Sequence, residues 1–152
     1  MLIEEIDHVA MIVRDAEEWA QYYIGKFGLR RIADEELADP NAKLVYLEAG
    51  NVVLQLLEPR GPGELMDDLS RSGDAWHHVC FRVADLDGFL RGLPGGGDAK
   101  TFVGGGGGRA CFLSKTPVGA RIEVIEREEA RHGSSYQSRS APVDRSRKLD
   151  PS

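Results

Sequence analysis

The chain of 152 residues has little cysteine, no long apolar run and no surplus of positive charge. Its two cysteines, Cys80 and Cys111, stand far apart with no CxxC spacing. A disulfide framework is therefore not indicated, and a reducing compartment is the default. No apolar run approaches the length of a membrane span, and the first residues lack the basic stretch and apolar core of a secretory signal. The formal net charge of -6 disfavours nucleic acid as a partner of the body of the protein. These absences set the expectation of a soluble, cytoplasmic protein that engages neither membrane nor nucleic acid.

What is present fits one globular domain or two small modules sharing a core. The charge is uneven. Residues 127–152 carry six Lys/Arg and four Asp/Glu, so that segment is +2 and residues 1–126 are -8. From about Arg127 the chain is polar, serine-rich and without periodicity, which reads as a mobile tail.

The chain repeats itself. "DHVAMIVRDAEEW", from Asp7, aligns with "HHVCFRVADLDGF", from His77, with His8 over His78 at an offset of 70 residues. Val9, Met11 and Val13 match Val79, Phe81 and Val83, the alternating apolar set of a strand. Each strand runs into an aspartate, Asp15 or Asp85, placed to cap a helix. Ala16, Trp19, Ala20, Tyr23, Ile24 and Phe27 then recur at helical spacing until Gly28. Leu86, Phe89, Leu90 and Leu93 do so more weakly before Pro94. Later, "NVVLQLLE" (51–58) resembles "GARIEVIE" (119–126), with Gln55 over Glu123 at an offset of 68. Further strands are expected at "LRRIADEEL", "KLVYLEAG", near Thr101–Val103 and at "RACFLSK". Each half therefore reads strand, helix, then about three strands. Leu65, Met66 and Leu69 suggest a short helix between the halves. The glycine runs at 95–97 and 104–108 lack the context of a phosphate-binding fingerprint and read as flexible loops that pack no core.

Strand alternation places Val9, Met11 and Val13 toward the helix, and His8, Ala10 and Ile12 on the opposite face. His78, Cys80 and Arg82 are their counterparts in the second half, and His77 falls on the helix side. Gln55 and Glu123 each sit mid-strand among leucine, valine and isoleucine, where an unpartnered polar group is costly. Two halves paired about a pseudo-twofold axis would bring His8, Gln55, His78 and Glu123 together. Two imidazoles, an amide oxygen and a carboxylate form a nitrogen/oxygen donor set suited to Ni, Co, Mn, Fe or a catalytic Zn, with two positions open to a chelating substrate. Cys80 shares parity with His78 and reads as a small buried apolar residue.

The segments "DHVAMIV", "LQLLEP", "HHVCFRV" and "GARIEVIE" resemble the vicinal oxygen chelate superfamily of glyoxalases, bleomycin resistance proteins and dioxygenases, over roughly residues 3–126. The order His, Gln, His, Glu, with "LLEP" and "HHV", is most similar to the methylmalonyl-CoA epimerase group. The resemblance implies an α+β fold in which paired βαβββ modules form a curved mixed β-sheet around a metal site. The chelate domain would span 1–126, with module one at 1–59, a linker at 60–74 and module two at 75–126, followed by the tail at 127–152. A divalent metal ion (Co, Ni, Mn, Zn or Fe) would be held by His8, Gln55, His78 and Glu123. The substrate would be a small molecule such as an acyl-CoA thioester, and the assembly a homodimer. Where the epimerases carry a second proton-transfer glutamate, the nearest matching residue is Asp39, and the linker "RGPGELMDDL" departs from theirs.

The chemistry implied is proton abstraction next to a carbonyl, with the enolate stabilised by the metal and Glu123 as ligand and base. Asp39 would serve the opposite face of the planar intermediate. Alternatives are a glyoxalase I-like lyase (lactoylglutathione lyase), a metal-free small-molecule binding or resistance protein of the same fold, and an extradiol-type dioxygenase using the two histidines and Glu123.

Overall fold

The computed structural model describes residues 2–96, 99–117 and 119–127. Strand β1 (Glu5–Ile12) leads through Asp15 into helix α1 (Ala16–Phe27), followed by β2 (Arg30–Ala38), β3 (Asn41–Ala49) and β4 (Val52–Pro59). Helix α2 (Glu64–Ser72) bridges to the second half, which runs β5 (Ala75–Val83), α3 (Leu86–Arg91), β6 (Thr101–Val103), β7 (Arg109–Phe112) and β8 (Ile122–Glu126). The strand–helix–three-strand order expected of each half is present twice, with the short helix between.

Local chemistry explains both helices in the same way. Asp15 and Asp85 are extended N-caps whose carboxylates accept from the Glu18 and Gly88 amides, satisfying donors that the first turn leaves open. A second carboxylate reaches each helix start from the fourth strand of its own module. Glu58 accepts from the Ala16 amide at 2.8 Å, and Glu126 accepts from the Leu86 amide at 2.7 Å. Gly28 ends α1 at a φ of 70°, a left-handed conformation that costs glycine nothing.

All eight strands form one curled mixed sheet in the order β2-β3-β4-β1-β5-β8-β7-β6. Within each module the first strand runs parallel to the last, β1 to β4 and β5 to β8. The modules join through antiparallel pairing of β1 with β5, which removes the strand edge that each would otherwise expose. The pairing occurs within one chain.

The alternation of β1 sorts the core. Met11 and Val13 pack with Ala16, Ala20, Val45, Leu47, Leu54 and Leu56 beneath α1. Ile12, on the other face, packs with Leu44, Tyr46, Val53, Leu57 and Leu69. Val83, Leu86, Leu90, Cys111 and Val124 form the corresponding cluster in the second module. Val9, Val79 and Phe81, expected against the helices, are only half-buried and belong to none of these clusters. Each helix covers its own module, so the β1–β5 seam between them is left part-open.

Two expectations need correction. The glycine run 104–108 packs: Gly104 and Gly106 are buried, and an added Cβ on Gly105 would lie 2.5 Å from Tyr46 Oη. The lack of side chains is what lets this backbone approach so closely. Arg127, assigned to the tail, is also buried, because its guanidinium neutralises the buried Asp7 carboxylate at 2.9 Å. The remainder of the expected tail lies outside the described residues.

Candidate functional site

Pairing of β1 with β5 places Ala10 opposite His78 and His8 opposite Cys80, so the two histidines project from neighbouring strands on one face. Their Nε2 atoms lie 3.1 Å apart. Strand β8 adds Glu123 opposite Cys80, and its Oε2 stands 2.9 Å from His78 Nε2 and 3.4 Å from His8 Nε2. All three side chains are buried. The fourth candidate, Gln55, sits on β4 opposite Ala10 and is also buried. Tyr46 stands directly opposite it on the adjacent strand, and Tyr46 Oη and Gln55 Nε2 both face Gly105. The glycine loop spans the ground between Gln55 and the other three: a Cβ on Gly105 would lie 2.8 Å from Gln55 Nε2, and one on Gly104 would lie 3.4 Å from Glu123 Oε1.

Two bulges orient the histidines from behind. In the β1–β5 ladder Ile6 pairs with Phe81 and His8 with Cys80, so Asp7 is an extra residue. Ala10 pairs with His78 and Met11 with Trp76, so His77 is extra on the other strand. Bulges re-aim side chains, and both of these turn back onto the following histidine. Asp7 Oδ1 lies 2.7 Å from His8 Nδ1, and His77 Nδ1 lies 2.7 Å from His78 Nδ1. His77 Nε2 in turn meets Asp68 Oδ2 at 3.1 Å, and Arg121 bonds both. Each Nδ1 is engaged outward, which turns each Nε2 toward the centre.

The charges respond to this enclosure. Burial opposes a charge on His8, but hydrogen bonds and fields from Asp7 and Glu123 outweigh it and push its pKa up to about 9. Burial dominates at His78 and lowers its pKa, with Glu123 opposing. Burial also disfavours the Glu123 carboxylate, yet His78 and His8 hold it ionised well below the usual range. His77 is lowered to about 4 by burial, with His78 and Arg121 adding to the effect and Asp68 opposing it.

The donor set fits a divalent cation. Two imidazole nitrogens and a carboxylate oxygen crowd one point, with all three atoms within 4.8 Å of one another. A divalent cation would be held there by the two neutral imidazoles and the carboxylate, with the Gln55 amide oxygen as the fourth donor the residues supply. A second cluster, Asp7, His8 and Cys80, shares His8, but Asp7 is already engaged by Arg127 and burial raises the Cys80 thiol far above its ordinary pKa.

Asp39 is placed elsewhere. It is exposed in the turn between β2 and β3, where Asp39-Pro40 is a cis peptide, and it lines a cleft of about 1000 Å³. Leu65, Met66, Phe102 and Phe112 give that cleft its apolar wall. Phe112 and His77 stand between the cleft and the buried set, with the Phe112 ring 5.2 Å from that of His78. The sequence reading missed Asp7, Asp68, His77 and Arg127. The one available signal was that a polar residue precedes both repeated histidines.

The chain matches the Glyoxalase/Bleomycin resistance protein/Dioxygenase superfamily over residues 7–112 and belongs to it. It is 28% identical to the ethylmalonyl-CoA/methylmalonyl-CoA epimerase of Cereibacter sphaeroides over 87 residues, which cover 56% of this chain and 65% of that one. It is 26% identical to the mitochondrial methylmalonyl-CoA epimerase of Homo sapiens over 84 residues, 54% of this chain and 48% of the other. The chain thus spans less than two thirds of either curated relative. Among solved structures, methylmalonyl-CoA epimerase from Mycobacterium tuberculosis superposes with a TM-score of 0.74 at 23% identity, covering 84% of this chain and 91% of that one. At that identity the likeness speaks for the fold. No described helix is long and apolar enough to cross a membrane.

Proposed function

From membership of that superfamily, we propose that the chain is a metal-dependent isomerase or epimerase that moves a proton on the carbon next to a carbonyl, in the manner of methylmalonyl-CoA epimerase. The observation that carries this reading is the convergence of His8 and His78, one from each module, with Glu123 on a single buried point. His8, Gln55, His78 and Glu123 would hold the cation. A divalent cation bound there supplies Lewis-acid stabilisation of the negative charge that develops on the substrate oxygen.

The chain's own residues supply the rest. Glu123, held ionised by the two imidazoles, accepts the proton from the carbon. Asp7 and His77 keep the imidazoles in one orientation through their Nδ1 atoms. The neutral amide of Gln55 adds no negative charge to the centre, which favours a developing anion. The cleft admits the substrate, a small carbonyl compound of the acyl-CoA thioester kind, and Phe112 and His77 separate its body from the reacting end. Asp39 is proposed as the group that exchanges a proton on the opposite face of the planar intermediate, which requires it to reach from the exposed cleft wall past Phe112 and His77 to the reacting end. The working assembly is proposed to be a homodimer, on the resemblance alone.

The test is exchange in deuterated water. Metal-loaded protein incubated with methylmalonyl-CoA is expected to place solvent deuterium at the α-carbon, and exhaustive chelation to stop it. Turnover of methylglyoxal with glutathione in place of exchange would assign the lyase alternative. Exchange that survives chelation would overturn the metal-dependent reading.

A further inference from the structure

Behind Gln55 lies a polar chain, buried at Tyr46 and half-buried at Glu35, that the reaction itself does not use. Tyr46 is fully buried in the strand next to Gln55 and directly opposite it in the ladder. Its hydroxyl donates to Glu35 Oε2 at 2.8 Å. The same carboxylate oxygen accepts from the Gly106 amide at 2.7 Å. With its proton committed to Glu35, Tyr46 Oη can meet Gln55 only as an acceptor, which selects the amide nitrogen, the end of Gln55 that lies on the Gly105 side with Tyr46 Oη, as its partner. The glycine loop confirms the adjacency, because a Cβ on Gly105 would meet Tyr46 Oη and Gln55 Nε2 together.

We propose that Tyr46 and Glu35 are positioning residues that fix the flip of the Gln55 amide, so that its oxygen and not its nitrogen is presented to the cation. An unrestrained amide can turn either end to a cation, and only the oxygen has a lone pair to give. Glu35 sets the direction of the Tyr46 proton, and Tyr46 sets the direction of Gln55. The same chain accounts for a neutral residue at position 55. A glutamate there has no hydrogen to give Tyr46, and its carboxylate would face an acceptor oxygen backed by the Glu35 anion. The proposal rests on the metal reading above and concerns one ligand of it.

The test is Co(II) binding by the full-length chain, measured by calorimetry and by the visible spectrum of the bound ion. Tyr46→Phe keeps the ring and removes the acceptor. It is expected to weaken Co(II) binding by on the order of 10- to 100-fold and to alter the spectrum. In a Gln55→Ala background the same substitution is expected to change nothing further, which a merely structural role of the tyrosine would not produce. Gln55→Glu is expected to bind more weakly than wild type despite its added charge. If Tyr46→Phe does not fold, Glu35→Leu, on the less buried strand β2, provides the same comparison. Unchanged affinity in the single variant, or an equal loss in the Gln55→Ala background, overturns the positioning role while leaving the metal site intact. Wild-type protein that binds no Co(II) overturns the metal reading, and this proposal with it.

Discussion

The two modules share one topology and are built very differently. In module one every strand has eight or nine residues and α1 has twelve. Its clusters hold the largest buried side chains, among them Tyr46, Leu47 and Leu56. In module two only β5 is as long. Strands β6, β7 and β8 have three, four and five residues, and α3 has six. What both modules keep is the seam strand with its histidine and the fourth strand with its mid-strand polar residue. The rest of module two can shrink because it borrows its footing. Through Gly106 and Arg127 it is bonded to Glu35 and Asp7 of module one. The modules divide the labour: one supplies the frame, the other closes the site over it.

The comparison breaks most severely if either half-site is lost. Glu123→Gln removes the proposed base from module two and is expected to lower the rate of α-proton exchange by about 10²–10⁴-fold. His8→Ala, which removes a donor from module one, is expected to abolish exchange and Co(II) binding together. Loss from one variant only, read by exchange and calorimetry on both, would show that the halves do not share one centre.

The footing is tested next. Arg127→Ala removes the guanidinium from the buried Asp7 carboxylate, leaving it His8, and is expected to cost about 3–5 kcal/mol in urea unfolding. A change under about 1 kcal/mol would show that module two does not depend on that tie.

The frame itself comes third. Leu56 is fully buried between long strands and α1, while Leu90 lies on the short helix of module two. Leu56→Ala is expected toward the upper end of the about 2–5 kcal/mol typical of such truncations, and Leu90→Ala toward the lower. The reverse ranking would contradict the division of labour.

The smallest effect concerns the link between helix α2 and the second module. The Arg121 hydrogen bond, opposed by partial burial and aided by His77, holds the Asp68 carboxyl well below the usual carboxylate range. A carboxyl whose pKa is lower folded than unfolded stabilises the protein above the unfolded value of about 3.9. That contribution is lost as pH falls through the folded value. Asp68→Asn is therefore expected to cost about 1–2 kcal/mol at pH 7, with the difference from wild type shrinking as the pH is taken below about 4. A difference independent of pH would point to packing instead.

Much of this was legible in the residues. Alternation in β1 and β5, the capping aspartates and the stop at Gly28 survive as local signals, so the order of elements could be read. The two histidines, Gln55 and Glu123 stand out as candidates because duplication sets them at nearly constant offsets. What stayed hidden depends on departures from regularity or on distance. Strict alternation turns His77 away from His78; a bulge, which leaves no mark in composition, turns it back. Arg127 reaches Asp7 across 120 residues and has no counterpart in the repeat. Tyr46 in an apolar strand reads as core, which it also is. In the glycine run the lack of side chains, which by composition signals freedom, permits close contact instead.

The central claim is that the two half-sites grip one ion. Its most direct test is a crystal grown with Co(II) and measured across the cobalt absorption edge. The account predicts one anomalous peak about 2.0–2.2 Å from both His8 Nε2 and His78 Nε2 and from a Glu123 carboxylate oxygen, with the Gln55 amide oxygen completing the set. A fully loaded crystal in which the two imidazoles still bond each other and the peak lies elsewhere would contradict it.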